Sequence, residues 1–135
     1  MPNCSPKYYH QYCMVSSIME YVTWDDLSDM IVSELRDIAH ISSVTASNAS
    51  QSLIELTIDD KGYNHQVDKA AIIQSISKGL NQAYEANKDD VCSYAQDMFD
   101  VAIDDDEQMF STKFINDMTD ITISGRIILI EFNLE

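Results

Sequence analysis

Apolar side chains near the start of the chain recur at helical intervals. Residues 7–22 place one every three or four positions, which predicts a short helix, and residues 24–38 repeat the pattern. Thr23 precedes the second helix as an N-cap, and Asp25 and Asp26 occupy its first turn, where the helix dipole favours carboxylates. The chain is therefore predicted to begin with two helices.

The spacing changes to alternation in the next segment. Residues 41–46 are β-branched or small, and 52–58 alternate apolar with polar side chains, as half-buried strands do. Residues 59–62 have the composition of a turn, with a glycine where a positive φ is needed, and alternation resumes over 63–67. We expect a hairpin here, within a three-stranded antiparallel meander.

Helical spacing returns in the second half of the chain. Asp68 is expected to cap a helix over 69–86, a very regular pattern predicts another at 88–104, and further helical turns are expected within 106–118. The tail, 121–134, alternates again. These elements, in 135 residues of which 45% are hydrophobic, predict a single α+β domain with helices packed on one face of a small antiparallel sheet.

The charge is strongly one-sided. Eight Lys and Arg side chains stand against 23 Asp and Glu, which gives a formal net charge of −15 at pH 7. Such a chain repels phosphates, so the composition argues against direct binding to nucleic acid or to an anionic membrane. It indicates a basic protein as the partner, for example a nucleic-acid-binding protein whose cleft this chain occupies.

Neither a membrane span nor a secretory leader is predicted. No apolar run approaches the ~18 residues that cross a bilayer, and the N-terminus lacks a basic-then-apolar pattern. Three cysteines without a CxxC pair are typical of free thiols in a reducing compartment. We expect a cytoplasmic protein.

Metal-binding residue types are present but do not form a recognised site. Cys4, His10 and Cys13 lie close in sequence, yet their spacing matches no common zinc site and a fourth ligand is missing. The run 104–106 is acidic enough for calcium but lacks the alternating ligands, the glycine and the terminal glutamate of an EF-hand loop. No cofactor is expected.

No sequence feature indicates a catalytic centre. The three histidines are far apart, and no nucleophile elbow, P-loop, GxGxxG or HExxH motif is present. Carboxylates are plentiful, but no pair is marked as a tuned acid and base. We expect a protein without enzymatic activity.

The acidic residues concentrate between residues 85 and 120. This segment contains eleven of them and only two basic residues, Lys88 and Lys113. The predicted helix 88–104 carries a polar stripe opposite its apolar one. Members of this stripe would lie ~5–6 Å apart along the axis, close to the ~6–7 Å between phosphates along one DNA strand. The stripe consists of Asp90, Ser93, Asp97, Asp100 and Asp104.

Two interpretations of this stripe remain open. It is either the ordinary solvated face of an amphipathic helix, followed by the acidic first turn of another, or a surface for a cationic protein. Solvated faces usually mix both signs, since like charges at i, i+4 cost a few tenths of a kcal/mol each. The lack of compensating lysines favours the second interpretation.

Short motifs, most of them in the second half of the chain, resemble acidic phage anti-CRISPR proteins that inhibit the RNA-guided nuclease of type II-A CRISPR systems. The matching segments are Asn81-Gln82-x-Tyr84-Glu85, Phe114-x-Asn116-Asp117-Met118, Ile121-Thr122, Leu53-Ile54 and the hairpin turn from Asp60 to Gly62. The chain departs from the family in an N-terminal extension, in an insertion around 88–103, and in Tyr63-Asn64, which follows the hairpin glycine where the family has an acid.

This resemblance implies a fold and a mechanism. The family is built from a helix, a three-stranded antiparallel sheet and two helices, and its acidic residues occupy the basic cleft where the nuclease reads a short duplex motif. By motif, Asp104 to Glu107 would take that role in the host cell cytoplasm, with Asp60 as a second contact. Together with the helical stripe, the predicted partner-binding residues are Asp60, Asp89, Asp90, Asp97, Asp100, Asp104, Asp105, Asp106 and Glu107.

Two other functions are consistent with the sequence. An immunity protein that neutralises a basic bacterial toxin would also be small and acidic. A structural protein is the third hypothesis, in which Tyr8, Tyr9, Tyr12 and Trp24 bury a homodimer surface. The sequence leaves open whether the chain is a monomer or a homodimer.

Overall fold

A computed structural model of the chain describes residues 8–58, 67–101 and 109–134. Helices and strands follow one another in two alternating blocks. The elements are α1 (Tyr9–Ile18), α2 (Trp24–Ala39), β1 (Val44–Ser50), β2 (Leu53–Ile58), α3 (Lys69–Ala86), α4 (Lys88–Phe99), α5 (Thr112–Met118), β3 (Thr119–Ser124) and β4 (Ile127–Phe132).

The four strands form one antiparallel sheet in the order β1-β2-β4-β3. Its inner face is apolar and completely buried at the centre, where Ile54 pairs with Ile130 and Leu56 with Ile128. The outer face carries more exposed side chains, including Thr122 and Glu131. The predicted α+β class, with an antiparallel sheet, is therefore confirmed.

The predicted three-stranded meander is wrong in its pairing. Among the described residues, β2 lies between β1 and β4, whereas the prediction placed the segment 63–67 on its second edge. Burial decides this outcome, because β4 supplies apolar side chains that complete the inner face. The predicted turn at 59–62 lies outside the described residues, as does most of the strand predicted to follow it.

The two longest helices match their predictions closely. Thr23 caps α2, its Oγ1 accepting from Asp26 N at 3.0 Å, and Asp68 caps α3, its Oδ1 accepting from Ala71 N at 2.9 Å. These helices pack tightly against each other, since a Cβ added at Gly79 of α3 would lie 3.1 Å from the Ile31 Cγ1 of α2.

Three helices are shorter than predicted. α1 ends at Ile18 instead of residue 22, because a tight turn carries the chain into α2. α4 ends at Phe99, not at residue 104, and α5 is confined to Thr112–Met118. Apolar spacing continues past each true end and therefore overstates helix length.

An aromatic cluster around Phe114 joins α5 to the N-terminus. The ring centroid of Phe114 lies 5.2 Å from that of Tyr8, 5.5 Å from that of Tyr12 and 6.4 Å from that of Phe110. Tyr8 and Tyr12 are each only 8% exposed, so they belong to the core of the chain itself. They do not provide the homodimer surface predicted for them.

Candidate functional site

Four predicted contact residues lie on α4 or directly after it. Asp89, Asp90, Asp97 and Asp100 are all exposed, and we call them the α4 acidic surface. Between residues 85 and 101 the sequence offers a single cation, Lys88. Their exposure is consistent with the polar face predicted for Asp90, Asp97 and Asp100, and their contact with a partner stays a prediction.

α4 is attached to the rest of the protein by a narrow strip. Only Val91 and Ala95 are buried, whereas Met98, one of the apolar side chains in the regular pattern of 88–104, is 61% exposed. The helix packs on α1, and its Tyr94 meets the Tyr21 ring edge-on, with centroids 6.1 Å apart. Such a thinly anchored helix presents most of its surface outward.

The two ends of α4 differ in whether the helix dipole stabilises the aspartates located there. Asp89 and Asp90 stand in the first turn, where the helix dipole stabilises a negative charge, so local stability alone explains them. Asp97 and Asp100 stand at the C-terminal end, where the dipole favours a cation, and no basic residue occupies the last turn. Local stability does not explain these two carboxylates.

The regular row of carboxylates predicted over 88–104 is interrupted. Asp90 and Asp97 are seven residues apart, which corresponds to ~10.5 Å along the axis. Asp100 has left-handed backbone angles, φ 53° and ψ 44°, so the helix ends before it and does not carry the stripe onward. α4 therefore carries the stripe only as far as Asp97, and the phosphate-like spacing stays a prediction. Asp60, Asp104, Asp105, Asp106 and Glu107 lie outside the described residues.

The end of α4 is a helix-terminating motif in which Asp100 holds a glycine-like conformation. Asp100 N donates to Gln96 O at 3.0 Å and Val101 N to Ala95 O at 3.5 Å, and Val101 is buried. A non-glycine residue is strained there. We expect Asp100→Gly to raise the free energy of unfolding by about 1 kcal/mol, since it relieves this strain and removes a charge that opposes the dipole.

Urea unfolding of Asp100→Gly and of the matched control Asp90→Gly tests this expectation. Asp90→Gly places the same substitution in the first turn of the same helix, where it should lower stability by about 1 kcal/mol. An Asp100→Gly protein less stable than wild type would contradict the account of this helix end.

Sequence analysis missed a second acidic face on α2. Arg36, the only base of that helix, donates from Nε and Nη2 to Val44 O at 3.1 and 2.8 Å, which holds it against the start of β1. A count of charges over 24–39 already shows the excess of acids. The acids of this face are Asp25, Asp26, Asp29, Glu34 and Asp37.

Sequence analysis also missed a groove of about 850 Å³ at the junction of α1, α2 and the sheet. Trp24 forms part of its wall and packs on Phe132, with ring centroids 5.2 Å apart. Four separate segments build the groove, so no local pattern could reveal it. The described lining residues are Ser16, Met19, Glu20, Trp24, Gln51, Ser52, Phe132, Asn133 and Leu134.

A hydrogen bond links the groove to α4. Tyr94 donates its phenol proton to Glu20 Oε1 at 3.0 Å, and this bond, with burial and the charge of Glu20, raises the pKa of Tyr94. Tyr8 donates in the same way to Asp117 Oδ2 at 2.8 Å, and that bond is the main reason why the pKa of Tyr8 is raised. Both bonds require the protonated phenol.

These two tyrosines predict a loss of stability at high pH. A pKa raised by folding means that the folded state holds the proton more tightly, so the stabilisation is complete below about pH 10 and is lost as the pH rises through the raised values. Urea unfolding from about pH 9 to about pH 11 should show this decline, and it should be shallower in the double variant Tyr8→Phe, Tyr94→Phe. An equally steep decline in that variant would contradict the assignment.

Across the described parts of the chain, no three His, Cys, Asp or Glu side chains gather closely enough to hold a metal ion. Of the residues considered for zinc, Cys13 is buried and His10 is exposed. Within the same residues, no helix combines the length and apolar character needed to cross a bilayer.

Comparisons with known proteins do not narrow the assignment. No protein-family model, no curated protein and no solved structure matches the chain. The charges and surfaces of the chain itself are therefore the features that indicate a function.

Proposed function

We propose that the protein is a non-enzymatic inhibitor that binds the basic nucleic-acid cleft of another protein and blocks access of DNA. On the motif resemblance, the target is the RNA-guided nuclease of a CRISPR system, which makes the chain an anti-CRISPR protein acting as a DNA mimic. The α4 acidic surface is the contact, and on the motif resemblance Asp60 and the run from Asp104 to Glu107 are further contacts.

One observation carries this proposal: the two carboxylates at the C-terminal end of α4, whose last turn holds no basic residue. Asp97 and Asp100 oppose the helix dipole, and Asp100 also holds a strained backbone conformation. Residues that reduce the stability of their own helix are expected at binding surfaces, where a partner compensates them. A cationic cleft would supply that compensation.

The chemistry of such a cleft fits exposed carboxylates on and directly after a helix. An arginine that normally grips a phosphate or a base edge can donate two parallel hydrogen bonds to an aspartate. A surface of −15 net charge also steers a basic partner toward itself, which speeds association at low salt.

Binding measurements against a panel of guide-loaded CRISPR effectors test the proposal. We expect one effector to bind the chain tightly at about 0.1 M salt and much more weakly at about 0.5 M, since salt screens exposed charges. Absence of binding to every effector would contradict the CRISPR assignment. In that event, salt-sensitive capture of a basic nuclease toxin, with protection of cells that express it, would establish the immunity function instead.

A further inference from the structure

The groove beside Trp24 has the properties of a ligand site that the α4 acidic surface does not explain. Its volume of about 850 Å³ falls within the ~300–1,000 Å³ typical of binding pockets. Trp24 is half-buried, and its contact with the buried Phe132 fixes the indole in place. The groove therefore has an aromatic wall held by the core.

The charge of the groove is negative. Glu20 is the one charged side chain among its described lining residues, and it is exposed. The Tyr94 hydroxyl fixes the Glu20 carboxylate and leaves its other lone pairs free for a second donor. Asn133, another lining residue, donates from Nδ2 to Asp120 Oδ2 at 3.1 Å, so a second carboxylate lies within hydrogen-bond distance of the lining.

We infer that this groove binds an arginine side chain of the partner protein. A guanidinium is planar, so it can stack on the face of Trp24 while its forked N–H groups donate to Glu20. The compact, strongly hydrated ammonium of lysine lacks this stacking plane. The volume also accommodates the residues on either side of the arginine, whose backbone can bond to the side-chain amides of Gln51 and Asn133 at the rim.

This inference rests on the proposed function, since a basic partner supplies the arginine. It adds a specific anchor to an interface that otherwise depends on exposed charges. Tyr94 belongs to α4 and holds Glu20, so one partner can contact the α4 acidic surface and the groove together.

Intrinsic fluorescence reports on the groove directly, because Trp24 is the only tryptophan of the chain. The probe is the peptide acetyl-Gly-Arg-Gly-amide, titrated into the full-length protein. A peptide with citrulline at the central position keeps the shape of arginine without its charge. We expect a saturable change in emission with the arginine peptide and at least about tenfold weaker binding of the citrulline peptide.

Two variants distinguish the effect of the charge in the groove from the effect of the net charge of the protein. Glu20→Gln keeps an acceptor for Tyr94 but removes the charge, and we expect it to bind the arginine peptide about tenfold more weakly. Asp29→Asn removes one charge from an exposed position outside the groove lining and should bind as wild type does. Shifts of the side-chain amide resonances of Gln51 and Asn133 on peptide addition would place the peptide in the groove.

The inference is overturned if the arginine peptide gives no saturable change, or if the citrulline or the corresponding lysine peptide binds equally well. Equal weakening by Glu20→Gln and Asp29→Asn would also overturn it. These results are independent of effector binding. If the arginine peptide does not bind but the protein still binds an effector in a salt-sensitive way, only the proposed arginine site is rejected. If the peptide binds but no effector does, the CRISPR nuclease is rejected as the target.

Discussion

The α4 quartet variant, in which Asp89, Asp90, Asp97 and Asp100 are all changed to Asn, is expected to bind the target on the order of 100-fold more weakly than wild type. Each exposed carboxylate–arginine pair contributes about 0.2–1 kcal/mol to binding. The loss of electrostatic steering also slows association, which weakens binding further than the loss of the four pairs alone. The variant should remain folded, because all four side chains are exposed.

The effect of the quartet on stability should be close to zero. Removal of Asp89 and Asp90 loses two favourable interactions with the helix dipole, about 0.3–1 kcal/mol each. Removal of Asp97 and Asp100 relieves two unfavourable ones of similar size at the other end of the helix. Thermal unfolding should therefore give nearly the same midpoint as wild type, so that lost binding cannot be attributed to lost structure.

A matched control tests whether binding depends on the position of the carboxylates or only on the net charge of the protein. The α2 quartet variant changes Asp25, Asp26, Asp29 and Asp37 to Asn, removing the same charge from another exposed helix face. Isothermal titration of both variants against the same target should show a small loss for this control. Equal losses in the two quartets would mean that only net charge matters, and wild-type affinity of the α4 quartet would remove α4 from the interface.

The second large expected effect is structural: Phe114→Ala should lower the free energy of unfolding by about 3–5 kcal/mol. Phe114 is completely buried and contacts three other aromatic rings, two of them contributed by α1 and the residue before it. The cavity left by the ring would therefore loosen the attachment of the N-terminal helix as well as that of α5. The loss is a large fraction of the stability of a typical domain.

Phe99→Ala provides the control for the aromatic cluster. It makes the same substitution at a half-buried ring, which contacts Tyr94 with centroids 6.3 Å apart. We expect it to cost only about 1 kcal/mol. Guanidinium unfolding of both variants measures the difference, and similar losses at the two positions would contradict the assignment of Phe114 to the core.

Local sequence signals predicted the elements whose ends are marked by side chains. Thr23 and Asp68 cap α2 and α3 as expected, because a cap and the apolar spacing that follows it lie within a few residues of each other. The pairing of β2 with β4 joins residues at least seventy positions apart in sequence, so local alternation could not reveal it. The local pattern instead predicted that a strand at 63–67 pairs with β2.

The candidate site likewise has features that local sequence predicts and features that it does not. Exposure of the α4 acids followed from helical periodicity, but the end of α4 depended on the left-handed conformation of Asp100, which an aspartate adopts without any sequence signal as strong as glycine. The groove at Trp24 required the end of β4 to reach the start of α2, and it depends on the strand pairing that sequence analysis missed.

The most direct test of the central claim is competition for DNA. A labelled duplex bound to the target effector is titrated with the chain, and its fluorescence anisotropy is followed. Occupation of the nucleic-acid cleft predicts that the wild-type chain displaces the duplex at stoichiometric concentrations, and that the α4 quartet requires on the order of 100-fold more. Tight binding of the chain to the effector with the duplex still bound would contradict the claim.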